Sequence, residues 1–149
     1  MKLTLKYILL VAWMLVIFYL SSEGHDASSG RSDEIVNALK QYVATVPTDF
    51  LTFLTRKAAH TIAYLILGIF MFQVVSAYRA GPLKVRTVLF SIGFVLLYAI
   101  SDEFHQSFVP GRAPMVTDVL IDTTAASLSI LISHFIAKDK HGKKINETI

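Results

Sequence analysis

The residues best suited to chemistry are Arg56, Lys57, His60, Tyr64, Asp102, Glu103, His105, Gln106, Arg112, Asp118 and Asp122. Arg56, Lys57 and Arg112 are cations suited to a phosphate or carboxylate, arginine through paired hydrogen bonds. His60 and His105 can serve as general acid or base near neutral pH. Asp102, Glu103, Asp118 and Asp122 can orient the histidines or hold a divalent cation through oxygen ligands. No zincin motif, nucleophile elbow or phosphate loop is present, and no residue is assigned as a metal ligand. The Asp102-Glu103-x-His105 string is a poor metal motif because its side chains leave a helix in different directions. Catalytic roles fall to His60, Asp102 and His105, and binding roles to Arg56, Lys57, Tyr64, Glu103, Gln106, Arg112, Asp118 and Asp122.

Helical spacing draws these residues together. Lys57, His60 and Tyr64 recur at i, i+3, i+7, and Tyr98, Ser101, Asp102 and His105 at i, i+3, i+4, i+7. Asp118 and Asp122 recur at i, i+4, continued by Ala125, Ser129 and Ser133. Asp118 also suits the first turn of a helix, where the dipole favours a carboxylate.

The elements that must carry them are membrane helices. Of 149 residues, 54% are hydrophobic, and the mean hydropathy is +0.55, which points away from a soluble domain. The length suits one domain. Apolar runs at about 7–22, 56–78, 87–108 and 116–137 each approach the ~20 residues needed to cross hydrocarbon. They lack the alternation of strands. The expected fold is all-α: a polytopic bundle of four transmembrane helices with an outer amphipathic helix. The basic start and apolar first run also describe a signal peptide, but Ser21-Ser22-Glu23-Gly24 offers no small-x-small cleavage site, so retention as a helix is expected. There are no cysteines, which excludes disulfides and thiol chemistry.

Basic residues cluster at Lys2 and Lys6, at Arg79, Lys84 and Arg86, and at Lys138, Lys140, Lys143 and Lys144. Four spans put all three clusters on one side, which is then cytoplasmic. The expected location is the bacterial inner membrane, with both termini cytoplasmic and a tail from 138 to 149. No basic face is interleaved with aromatics, so nucleic acid is not an expected partner. The outer segment 23–49 opens with Gly24, Ser28, Ser29 and Gly30, a linker composition. Ser32 is a candidate cap for a helix opening with Asp33 and Glu34 and continuing through Ile35, Val36, Leu39, Tyr42 and Val43. That helix can lie on the membrane or pack on the bundle; both readings stay open. Pro47 ends it.

A charge deep in lipid costs roughly 2.5–3.5 kcal/mol on insertion scales. So many charges must face one another or water, which predicts an outward-facing polar pocket between the second, third and fourth helices. The bland alternative is a network that only locks the bundle, pairing Arg56 or Lys57 with Asp102 and Arg112 with Asp118.

Three strings carry a family resemblance: Arg56-Lys57-Ala58-Ala59-His60 on to Tyr64 and Gly68; Ser101-Asp102-Glu103-Phe104-His105-Gln106-Ser107-Phe108-Val109-Pro110-Gly111-Arg112; and Asp118-Val119-Leu120-Ile121-Asp122-Thr123. With Phe18 to Ser22 they resemble the VanZ-like family of bacterial membrane proteins, from Phe18 to about Ser133. Asp122 stands where the family often has asparagine, and Ala125 and Ser129 where it often has glycine. The family is named for a protein associated with low-level teicoplanin resistance, so the resemblance implies action at the cell envelope.

These readings converge on a pocket that binds or processes an anionic envelope lipid or a lipid-linked precursor. An enzyme version adds hydrolysis or transfer at a lipid-linked phosphate. The rival is a non-enzymatic interaction protein whose network stabilises the bundle while the segment near Ile35 to Val43 recruits partners. A transporter fits least, with no internal repeat and no polar path to the cytoplasmic side.

Overall fold

Four long helices form because each apolar run lacks an interior proline and satisfies its own backbone. The computed structural model describes residues 2–23, 33, 35–78, 85–110, 112 and 114–146, with side chains described as far as 139. Its helices are α1 (Leu3–Ser21), α2 (Thr48–Ala77), α3 (Val85–Gln106) and α4 (Val116–Asn146). No strand occurs among the described residues. All four helices are long and apolar enough to cross a membrane, the span within α4 being Val116–Asp139. The expected linker at Gly24, Ser28, Ser29 and Gly30, the cap at Ser32, Glu34, the basic residues Arg79 and Lys84, and Gly111 lie outside the described residues, as do the side chains of Lys140, Lys143 and Lys144.

The helix ends depart from the apolar runs in instructive ways. α2 starts at Thr48, well before the expected 56, with Asp49 in its first turn. Arg56 and Lys57 end an apolar window, yet neither breaks a helix. α4 likewise continues through the charged stretch after Ala137, where a separate tail was expected. α1 ends at Ser22, whose N–H bonds Phe18 O at 2.9 Å and whose Oγ donates to the same carbonyl at 2.7 Å. After α3, turn hydrogen bonds from Phe108 N to His105 O and from Val109 N to Gln106 O, both 3.0 Å, reverse the chain before Pro110.

α2 packs against each of the other three helices, most extensively against α4, and α3 also meets α1 and α4. The α2–α4 approach is close because Gly68 has no side chain: a Cβ there would lie 2.5 Å from Ala126 O and clash with Ser129 Oγ. Tyr64, Leu67, Val95, Ala126 and Ile130 fill the middle of the bundle. α1 is the least buried span, with 11% of its apolar window inside the protein. Side chains tie it down by reaching main-chain carbonyls of neighbouring helices: Trp13 Nε1 donates to Ala63 O at 2.9 Å, and Tyr98 OH donates to Met14 O at 2.6 Å. Leu15, Phe90, Leu97 and Leu120 are exposed on the outside, as lipid-facing positions should be.

Between α1 and α2, residues 35–40 are helical. Val36 is fully buried, while Ile35, Leu39, Tyr42 and Val43 are exposed. One apolar residue therefore anchors this segment to the protein, and the rest of its apolar face is uncovered.

Candidate functional site

One end of the bundle holds the C-terminus of α1, the first half of α2, the last turns of α3 and the start of α4. Lys57, His60 and Tyr64 descend one face of α2, as the spacing requires. His60 sits between two carboxylates. Its Nδ1 is 2.8 Å from Asp122 Oδ2 on α4, and its Nε2 is 3.3 Å from Asp102 Oδ2 on α3. Both ring nitrogens therefore face acceptors, an arrangement that only the doubly protonated ring satisfies in full. Asp102 and Asp122 are buried, at 3% exposure each.

Asp102 Oδ2 is the hub. Ser21 Oγ donates to it at 3.0 Å, Tyr64 OH at 3.3 Å and Gln106 Nε2 at 3.5 Å. Gln106 Nε2 also donates to Ser21 Oγ at 3.2 Å, and Ser21 Oγ lies 3.5 Å from His60 Nε2. A continuous polar chain thus crosses the bundle, Ser21–Asp102–His60–Asp122, one residue from each helix. The polar cluster expected from the second, third and fourth helices thus takes in α1 as well, through Ser21. Ser21 is 1% exposed and was missed because a lone hydroxyl at the end of an apolar run reads as the interface. In the structure it continues the inward face of α1 after Leu10 and Ile17, at i, i+7 and i+11.

The remaining residues sit around this core. Lys57 forms an ion pair with Asp118 and lies 5.6 Å from the centre of the Phe53 ring. The pairings expected of a locking network, Arg56 or Lys57 with Asp102 and Arg112 with Asp118, are not among the ion pairs of the described residues, where His60 faces Asp102 and Lys57 reaches Asp118. Glu103 is buried and accepts the Met115 N–H through Oε2 at 2.9 Å, tying the entry of α4 to α3. His105 stands apart from His60. Its Nε2 is 3.0 Å from Ser22 Oγ, and its ring is 4.3 Å from that of Phe18, on the α1 side. Ser101 Oγ donates within its own helix, to Tyr98 O at 2.7 Å.

Arg56 and Arg112 stand at this same end, near enough for the Arg56 charge to act on Arg112. Arg112 Nε donates to Glu23 O at 3.1 Å. Partial burial and then the Arg56 charge push the Arg112 guanidinium below its ordinary pKa, while Asp102, Glu103 and Asp118 pull it back. No carboxylate lies within ion-pair distance of either arginine among the described residues. Those residues also contain no group of three or more acidic or histidine side chains placed to hold a metal ion.

The family model described as VanZ/LLP1 matches residues 6–137. The chain belongs to this family. No curated protein and no solved structure matches it. The VanZ/LLP1 match takes in all four helices and every member of the polar chain. With four helices able to span a bilayer, it makes this VanZ/LLP1 chain a membrane protein.

Proposed function

We propose that this polar end faces outward from the bacterial inner membrane and binds or processes an anionic envelope lipid or a lipid-linked precursor. The observation that carries the reading is that Arg56 and Arg112 stand at the same polar end, near enough for the Arg56 charge to act on Arg112. An anion bound there would offset that charge, and arginine binds phosphate or carboxylate oxygens in pairs. Asp118 is engaged by Lys57, and Asp102 and Asp122 by His60. A head-group anion at the membrane surface would add to the negative charge that Arg112 already feels from Asp102, Glu103 and Asp118. His60 and Asp102 then lie behind the anion as candidates for proton transfer to a lipid-linked phosphate.

The family resemblance supports a role at the envelope and a link to teicoplanin susceptibility. Arg56→Gln and Arg112→Gln should each abolish the resistance conferred by expressing the protein while leaving its membrane level unchanged. In phosphatidylcholine vesicles doped with phosphatidylglycerol, the same variants should lose preferential retention of the anionic lipid, read by native mass spectrometry. Unchanged resistance and unchanged retention in both variants would refute the reading.

A second reading draws on the same internal pairing. Because Asp102, Asp118 and Asp122 all find cations or donors within the protein, the network can serve only to hold the helices together, leaving the exposed face near Ile35 to Val43 to recruit a partner. Deleting residues 35–43 would then do more harm than the arginine substitutions.

A further inference from the structure

Beside the Lys57–Asp118 pair, on the same two helices, lies a groove of about 400 Å³ lined by Thr61, Leu120, Ile121, Thr124 and Ala125. It opens sideways between α2 and α4. Its character is apolar: Leu120 and Ile121 are exposed along it, and Thr124 Oγ1 donates to Leu120 O at 2.6 Å, so Thr124 offers mainly its methyl group. Thr61 follows Lys57 by four residues, one turn and about 6 Å along the helix. Ala125 follows Asp118 by seven, two turns inward on the same face. The groove therefore starts where the charged rim stops and runs toward the middle of the span.

We infer that this groove seats a hydrocarbon chain of the bound molecule, so that the ligand is a membrane lipid entering sideways between α2 and α4 rather than a soluble anion arriving from water. The inference rests on the head-group reading above and extends it to the tail. The occupant follows from position. A cleft on the flank of two helices able to span a bilayer meets acyl or isoprenoid chains, and its volume is within the ~300–1,000 Å³ of ordinary ligand sites. One amphiphile satisfies both features at once, its anion at Arg56 and Arg112 and its chain beside Thr61 and Ala125. The small side chains at 61, 124 and 125 leave the space that bulky residues fill elsewhere on the outer surface, such as Phe90, Phe94 and Leu97 on α3.

The test uses the full chain in phosphatidylcholine vesicles containing phosphatidylglycerol with a diazirine in one acyl chain. Photolabelling should concentrate on peptides containing Thr61 and Leu120–Ala125, above the level on the α3 face at Phe90, Phe94 and Leu97. Thr124→Phe fills the groove from an exposed position, and Ala125→Leu fills it from the floor. Each should bring groove labelling down to the α3 level, with Trp13 fluorescence showing that α1 remains docked. Groove labelling no greater than the α3 level in the unaltered protein, or unchanged in both variants, would overturn the inference. So would displacement of the probe by excess inorganic phosphate or glycerol phosphate, since a soluble anion would then be the ligand. The two readings fail separately. Head-group preference that is lost in Arg112→Gln, without groove labelling, sinks the tail site alone. Groove labelling that is equal for anionic and zwitterionic probes and indifferent to Arg56 and Arg112 supports the tail site and sinks the head-group reading.

Discussion

Asp102 and His60 should be energetically coupled, and a double-mutant cycle measures by how much. Asp102 Oδ2 faces His60 Nε2 at 3.3 Å and accepts from Ser21, Tyr64 and Gln106. Asp102→Ala leaves all of these donors facing a void in a buried site, and His60→Ala leaves Asp102 and Asp122 without their shared cation. Removing one partner of a buried ion pair costs about 3–5 kcal/mol. Two independent losses would therefore sum to roughly 6–10 kcal/mol. In the double variant the Asp102–His60 interaction is lost once, not twice, so its cost should fall short of that sum by about 1–3 kcal/mol. The magnitude also identifies the interaction. Neutral side-chain hydrogen bonds within membranes average only ~0.6 kcal/mol, because the unfolded chain in lipid finds other partners. A coupling above ~1.5 kcal/mol is that of a charged pair. Unfolding in detergent micelles, followed through Trp13 and circular dichroism, supplies the four energies. Trp13 is the only tryptophan, and its indole is bonded across to Ala63 O, so it reports separation of α1 from α2. Additivity within ~0.5 kcal/mol would refute the ionic account of the polar chain.

Two further predictions concern packing and orientation. Gly68→Ala should destabilise the bundle by about 1–3 kcal/mol, since its Cβ would fall 2.5 Å from Ala126 O. Gly93→Ala, where a Cβ meets nothing within 4 Å, should be neutral or stabilising by up to ~1 kcal/mol through helix propensity; thermal unfolding of the two side by side checks the difference. The chain has no cysteine, so single cysteines can be placed at will: one at Ser107 should react with a membrane-impermeant maleimide in intact spheroplasts, and one at Lys138 only after permeabilisation. The reverse pattern would place the polar end in the cytoplasm.

Much of this architecture was legible in the sequence because hydrocarbon imposes a simple rule. A run of about 20 apolar residues has one stable structure in lipid, and each of the four runs obeys it. The sharing of faces was legible too, since Lys57, His60 and Tyr64 are locked together by the helical repeat. What the repeat does not contain is the rotation and depth of one helix relative to the next. The partner of each charge was therefore lost: Lys57 reaches Asp118 and His60 takes both Asp102 and Asp122. His105, one turn along from Asp102, is carried round to Phe18 and Ser22 instead. α1 hid its contribution for a different reason. It is apolar on every side, so no contrast of polarity reveals that Leu10, Ile17 and Ser21 face inward.

The arrangement of charge also separates two tasks that the sequence alone merges. Ser21, Asp102, His60 and Asp122 are bonded to one another in the interior, and a ligand approaching from the membrane surface would have to break those bonds to use them. Their bonding from helix to helix suits holding four helices in register, since helices in lipid gain little from hydrophobic contact and depend on close packing and polar contacts. Arg56 and Arg112 stand in the opposite condition. Arg112 is held below its ordinary pKa by partial burial and then by the Arg56 charge, and the proposed anion would offset that charge. Substitutions in the inner chain should therefore be felt first as loss of folded protein, and substitutions at the rim as loss of binding by protein that is folded. His60 joins the two, held from within by both carboxylates yet partly exposed, with 22% of its side chain accessible. On the proposed binding, a ligand held by the arginines would meet His60 next, and that ring would be the contact through which binding at the rim is felt by the helices.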